Sequence, residues 1–441
     1  MAIRDDVVVI GGGLAGTTAA LAAAREGASV RLLSMQTSTL RHASGLIDVL
    51  GYASDGGAGG DRDGPLVDPF AAIPSLPADH PYRLVGVDAV REGLALFDEA
   101  VDGRLRYFGG HTDRNALVPT HGGTVKPTAR YPASTAAGLA AAPGDVLLVG
   151  FRSLTDFDAP LVAERLSATG LPAAVAGVTV DFPKSFRDDA TVTRYASALD
   201  ADEPVDRAGS GAPTGVRAAL AATVEPHVER TGADRVGFPA LLGGDRPGAV
   251  RTDLADRLGA EVFEVPMGPP SLPGLRLEAA LTAALDDAGV RRTTGDPVVE
   301  SEADGGRVET VAVDATGRRV PYAAAAFVLA TGGFAGKGLV ADRRTVAEPV
   351  FGCRVPAPED RTDWYDDDPF GDHAFARMGV RPDDRLRPLD ADGAPEFENL
   401  YAAGGVVGGA DVAAENSASG VSLATGLVAG RNAASHAPDT P

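Results

Sequence analysis

Ile3-Arg4-Asp5-Asp6-Val7-Val8-Val9-Ile10-Gly11-Gly12-Gly13-Leu14-Ala15-Gly16 runs from an apolar stretch into a glycine turn and then into an alanine-rich segment of helix-forming composition. A second apolar run, Ala28-Ser29-Val30-Arg31-Leu32-Leu33, follows it. Strand, glycine turn, helix and strand in that order make a dinucleotide-binding βαβ unit. Gly11 permits the tight turn, Gly13 lets a phosphate approach the backbone, and Gly16 lets the helix lie close to the strand. The free N–H groups and the dipole at this helix end attract negative charge.

Two more glycine signals share this logic. Ala326-Phe327-Val328-Leu329-Ala330 reads as a buried strand ending at Thr331-Gly332-Gly333, and Asn399-Leu400-Tyr401-Ala402-Ala403-Gly404-Gly405 leads to Ser419-Gly420-Val421 and a helix of small residues. An NAD-only fold would need the first signal alone. All three together resemble the two-dinucleotide-type flavoproteins, so the expected cofactor is a flavin. The fold class expected is α/β: a discontinuous Rossmann-type flavin-binding domain with an inserted α/β capping domain. Expected cofactor contacts are Gly11, Gly13, Gly16, Ser34, Ser44, Gly45, Val299, Thr331, Gly332, Gly404, Gly405, Gly420 and Val421. Ser44 and Gly45 enter because the loop after the second strand runs beside the flavin ring in related flavoproteins. One position departs from the pattern. The second strand ends at Ser34, where an acidic residue usually binds the adenosine ribose. The glycine turn favours a diphosphate and so FAD, whereas the missing acid favours FMN.

The 441 residues exceed what one core usually holds, and 44% are apolar. The expected division is residues 1–70, 266–345 and 396–441 for flavin binding, 71–265 for the inserted domain, and 346–395 for a loop-rich cap segment. Ser54–Gly64 reads as a loose loop, and Val87–Val101 as a helix. The inserted region alternates strand and helix (a strand at Asp145–Val149, a helix at Ala159–Thr169, a strand at Ala173–Val180, a strand at Arg235–Phe238, a helix near Arg251–Leu258, a strand at Glu261–Val265), which argues for a second parallel sheet. It carries no GxGxxG turn.

Net charge is −21, and Lys126, Lys184 and Lys337 are the three lysines. An acidic, lysine-poor surface suits high salt, where screening removes self-repulsion; an ordinary acidic cytoplasmic protein is the plainer alternative. The chain shows no basic stripe for nucleic acid. Cys353 is the single cysteine, so the chain can carry neither an internal disulfide nor its own iron–sulfur cluster, and its seven histidines lack metal-ligand spacing; no metal is expected. Its opening residues form the βαβ strand rather than a targeting signal, and no apolar stretch is long enough to span a bilayer. Contact with a membrane is therefore expected only through a partner.

Beyond the glycine motifs, Ala43-Ser44-Gly45-Leu46-Ile47-Asp48, His80-Pro81-Tyr82-Arg83-Leu84-Val85-Gly86, Pro269-Pro270-Ser271-Leu272-Pro273-Gly274-Leu275-Arg276-Leu277, Gly338-Leu339-Val340-Ala341-Asp342-Arg343 and Glu398-Asn399-Leu400-Tyr401 resemble the B-subunit family of anaerobic glycerol-3-phosphate dehydrogenases. The resemblance spans nearly the whole chain. It implies a flavoprotein subunit with FMN as cofactor (FAD as the alternative), paired with a catalytic A-subunit flavoprotein and docked to an iron–sulfur C subunit. Such a complex oxidises sn-glycerol 3-phosphate to dihydroxyacetone phosphate and passes electrons toward quinone. Its place would be the cytoplasm, peripheral to the inner face of the cell membrane through the partner.

Oxidation of a secondary alcohol needs a base and a hydride acceptor. His111 and His121, in a polar, turn-rich segment, are candidate bases; Lys126, Arg130 and Arg276 are candidate ligands for a substrate phosphate. None is assigned as catalytic. A surface or ion-paired role is the plainer reading of each, and Pro81 beside His80 suggests a structural turn there. Three readings remain: a subunit of the dehydrogenase, a free-standing flavin reductase of the fumarate-reductase or ketosteroid-dehydrogenase kind, and a non-catalytic scaffold that keeps its flavin for stability.

Overall fold

The computed structural model describes residues 2–36, 38–53, 63–186, 190–205, 213–369 and 371–437. It contains two compact units. The first comprises Met1–Thr39, Ile47–Arg104 and Ala280–Pro441, and the second Leu40–Leu46 and Leu105–Ala279.

The first unit is built on a seven-stranded sheet. The strand Ile3–Ile10 lies between Val30–Ser34 and the long strand Arg318–Leu329, parallel to both. Arg291–Thr294 continues the sheet beyond Val30–Ser34. The run Ala326–Ala330 expected as a buried strand is the end of a longer one, Arg318–Leu329, which begins eight residues earlier. Its first half pairs antiparallel with Arg307–Ala315, and its second half pairs parallel with Leu400–Ala402. Ala323–Ala326 have small side chains, so apolar patterning alone could not carry the strand through them. Asn399 fastens the short Leu400–Ala402 strand. Its Oδ1 accepts from Val308 N at 2.9 Å, and its Nδ2 donates to the carbonyls of Val308 and Ala325.

Small residues let helices approach this sheet and each other closely. The helix Leu14–Arg25 packs along Ala418–Ala434, and a Cβ on Gly426 or Gly430 would come within 2.6 Å of Ala15 O or 2.3 Å of Ala19 O. The helix Val87–Val101 buries Val90, Leu94, Phe97 and Val101, with Gly93 against the Leu423 backbone. Residues 71–104 therefore belong to the first unit, although the inserted domain was expected to begin at 71. Residues 346–395 also join this unit, burying Val350, Phe351, Trp364, Met378 and Val380 in its core. Of the stretch Ser54–Gly64, residues 54–62 lie outside the described residues, and Asp63 makes an antiparallel bridge with Ala53.

The second unit holds a four-stranded parallel sheet in the order Glu261–Val265, Arg235–Pro239, Val146–Phe151 and Val175–Val180. This is the parallel sheet expected of the region. The helix near Arg251 begins earlier, at Pro247, and the unit also has helices Val192–Ala201 and Val216–Thr231. Residues 266–279, expected with the flavin-binding parts, belong here: Leu272 enters this unit's core and Arg276 bonds Glu264.

Candidate cofactor site

A cleft of about 190 Å³ opens at the carboxyl ends of Ile3–Ile10, Val30–Ser34 and Arg318–Leu329. Its lining includes Gly11, Gly13, Ser34, Thr331 and Gly332, so the first two glycine signals meet there. The backbone explains each glycine. Gly11 has φ +118°, and a Cβ on it would lie 2.1 Å from Ala330 O. A Cβ on Gly16 would lie 1.9 Å from Gly11 O, so the helix can approach the turn only without a side chain. Gly13 differs: its Cβ would meet nothing nearer than Thr39 Oγ1 at 3.6 Å. The space beside it belongs to the cleft.

These features fit an anionic cofactor. Gly13 is the N-cap of Leu14–Arg25, no side chain caps that end, and its first turn has no acidic residue. Uncapped N–H groups at a helix start are ready donors to phosphate. Thr331 Oγ1, on the cleft's edge, is buried with no hydrogen-bond partner, a state that costs about 1–3 kcal/mol unless a ligand or water answers it. The Ser34 hydroxyl donates to Gln36 O at 2.5 Å, which leaves its lone pairs as acceptors for a sugar hydroxyl.

Residues 6–422 match the family described as "FAD binding domain". A Halobacterium salinarum protein, named as the probable B subunit of an anaerobic glycerol-3-phosphate dehydrogenase, is 59% identical over 434 residues, covering 98% of this chain and 99% of its own length. The anaerobic glycerol-3-phosphate dehydrogenase B subunit of Pectobacterium atrosepticum is 31% identical, covering 96% of this chain and 97% of its own.

The chain belongs to the flavoprotein family of anaerobic glycerol-3-phosphate dehydrogenase B subunits.

Among solved structures, 3-ketosteroid-Δ4-(5α)-dehydrogenase of Rhodococcus jostii is 16% identical with a TM-score of 0.40, covering 99% of this chain and 97% of that one. The acidic, lysine-poor composition of this B-subunit family member suits its similarity to a Halobacterium protein. As a flavoprotein of an FAD-binding family it takes a flavin, and its family's place is in a multi-subunit assembly.

Not every expected contact lines the cleft. Val298, not its neighbour Val299, stands on the wall, as strand alternation requires when one face is used. Gly404 (φ +71°) and Gly405 form a backbone crossing. Gly404 N donates to Thr425 Oγ1 at 2.8 Å, a Cβ on Gly404 would come 2.6 Å from Ala15 Cβ, and Gly405 O backs onto Gly333. Gly420 and Val421 take packing positions. Gly420 N donates to Asp48 O at 2.7 Å, a Cβ on it would meet Tyr82 Oη, and Val421 is buried. Met35, Gln36, Thr39, Pro297, Lys337, Pro349 and Val350 also line the cleft and were not singled out by sequence. Pro349 and Val350 are placed by Glu348, a buried carboxylate that accepts from Val350 N and Phe351 N at 2.8 Å each. Nothing in the local sequence announces that cradle. Lys337 did carry a signal, as one of so few lysines directly after a glycine motif.

Ser44, Gly45 and the catalytic candidates lie in the second unit. Gly45 (φ +79°) abuts Pro273, and its carbonyl accepts from Tyr107 Oη at 2.7 Å; Ser44 Oγ accepts from Leu46 N. Arg276 is not a free phosphate ligand. It is 8% exposed, bonds both oxygens of Glu264 (2.7 and 2.9 Å), and donates twice to Gly243 O. Arg130 is equally enclosed and donates to the carbonyls of Gly109 and Ala129. His121 turns its Nδ1 to Pro266 O at 3.3 Å, while His111 is exposed. Lys126 lies on the hairpin strand Val125–Thr128. His80 is wholly buried. Its Nδ1 accepts from Tyr82 N and caps the helix Pro81–Val85, while Nε2 faces Glu415 Oε2 at 3.1 Å. Cys353 is buried; burial, then the charges of Glu348 and Glu396, push its thiol well up, so it is an inert apolar group.

Proposed function

We propose that the chain is the B-type flavoprotein subunit of a glycerol-3-phosphate dehydrogenase, serving the oxidation of sn-glycerol 3-phosphate to dihydroxyacetone phosphate. The observation that carries the reading is 59% identity across 98% of the chain to a protein of that name, together with a glycine-rimmed cleft suited to phosphate. A bound flavin supplies hydride and electron acceptance. The chain's own part is to seat the cofactor phosphate on the Gly11–Gly16 turn, to offer Thr331 Oγ1 as a polar partner, and to enclose the cleft with Val298, Pro349 and Val350. FAD suits the family's description and the diphosphate-type turn; FMN suits the absence of an acid at Ser34.

The partners proposed are a catalytic A-type flavoprotein and a cluster-bearing C-type subunit, with quinone as the destination of the electrons. Support comes from chemistry: one buried cysteine gives this chain no means to bind a cluster, and the described residues contain no group of metal-binding side chains. Among the described residues no helix is long and apolar enough to cross a membrane. A cytoplasmic position at the membrane's inner face, held by the C-type subunit, follows from the same assignment.

The free-standing reductase reading needs arginines available to clamp a substrate. Arg130, Arg235 and Arg276 instead bond backbone carbonyls or a carboxylate inside their own unit. The deciding experiment is anaerobic addition of sn-glycerol 3-phosphate to the purified chain, alone and with the A-type partner, while flavin absorbance is followed. Bleaching of this chain's flavin only when the partner is present supports the proposal. Bleaching by the chain alone favours a self-sufficient dehydrogenase, and none in either case removes the assignment.

A further inference from the structure

Lys337 is the cleft's charged lining residue among those described, and no carboxylate lines the cleft with it. Its ammonium makes no ion pair among the described residues, whereas Lys184 is paired with Glu203. The surroundings make this unusual. The chain carries a net −21 and contains three lysines, so its overall field opposes an anionic ligand. The local backbone sharpens the point. Gly336 and Gly338 are glycines for steric reasons, since Cβ atoms there would lie 2.7 Å from Thr331 O and 2.0 Å from Gly332 O. Between them Lys337 takes φ +62°, a left-handed conformation that glycine would adopt at lower cost.

We propose that Lys337 is the counter-charge for the cofactor phosphate and makes the site select for phosphorylated flavins. The inference rests on the flavin reading and deepens it. With Ser34 in place of a ribose-binding acid at the end of Val30–Ser34, phosphate charge supplies more of the affinity than the sugar hydroxyl that Ser34 can accept from.

The test is equilibrium binding of riboflavin, FMN and FAD to the flavin-depleted chain, by fluorescence, for wild type, Lys337→Gln, Lys337→Arg and Lys337→Gly. Lys337→Gln is expected to raise the Kd for FMN and FAD by about five- to tenfold, the scale of one solvent-exposed charge contact, and to leave riboflavin unchanged. Lys337→Arg should keep most of the affinity. Lys337→Gly should melt no lower than wild type and still lose phosphate affinity, which separates charge from folding. Equal weakening of riboflavin and FMN, or no change for FMN and FAD, would overturn the assignment of Lys337. Failure of wild type to bind any of the three would overturn the flavin reading itself.

Discussion

Arg276 and Glu264 form a buried two-point ion pair, with Nη1 to Oε2 at 2.7 Å and Nη2 to Oε1 at 2.9 Å. Glu264 Oε1 also accepts from Leu242 N at 2.7 Å, so the pair fixes the helix bearing Arg276 to the sheet edge at Glu261–Val265. Removing one partner strands a charge in the interior. Arg276→Ala is expected to cost about 3–5 kcal/mol, seen as a lowered melting temperature. If the variant melted normally and instead raised the KM for glycerol 3-phosphate, Arg276 would be a substrate ligand after all.

The same pair sets an acid limit. Burial pushes the Glu264 carboxyl up, but the Arg276 charge and the hydrogen bonds from Arg276 and Leu242 outweigh it, and the group lies below its ordinary value. A carboxyl whose folded pKa is depressed stabilises the fold fully above its unfolded pKa and loses that contribution as pH falls through the folded one. Urea midpoints of wild type and Glu264→Gln should therefore differ most near neutrality and converge in acid. A gap that widened on acidification would contradict the assignment.

The first glycine turn was legible because sterics leave little choice. Gly11 and Gly16 admit no Cβ, and their spacing with the flanking strands is a local property of the chain. Helix Val87–Val101 was legible too, since its apolar positions recur at helical spacing. What escaped depended on contacts distant in sequence. Pro349 and Val350 stand on the cleft beside Glu348, which gathers the N–H groups after it, and Arg276, for which an ion-paired role was the plainer reading, has a partner, Glu264, that local sequence could not name, twelve residues earlier on a strand. The continuity of Arg318–Leu329 was hidden because alanines carry no periodic signal. Gly420, expected as a cofactor contact, also has a packing reason to be glycine, against Asp48 and Tyr82, which only the folded chain brings to it.

His80 and Glu415 tie the start of helix Pro81–Val85 to the end of the short helix Val412–Glu415, which precedes Ala418–Ala434. Tyr82 N donates to Nδ1, so Nε2 carries the proton toward Glu415, which also accepts from Ser417 Oγ at 2.8 Å and Asp411 N at 3.1 Å. His80→Ala would leave this partly buried carboxylate short of a donor, and a loss of about 1 kcal/mol is expected from chemical denaturation. A stable variant with lost activity would instead favour a chemical role.

The glycines of the first turn should separate by mechanism. Gly16→Ala forces a Cβ onto Gly11 O and should impair folding itself, read as loss of soluble, cooperatively melting protein. Gly13→Ala has room and should fold normally, whereas Gly13→Asp should fold yet retain no flavin, because its carboxylate opposes the phosphate. Retention of flavin at wild-type stoichiometry by Gly13→Asp would remove the phosphate assignment from this turn.

Acid release of the cofactor from the purified chain, followed by mass measurement, tests the central claim most directly. A phosphorylated flavin, FMN or FAD, at about one per chain is the expected result. Folded chain that is colourless, releases no flavin, and takes up neither FMN nor FAD would contradict it.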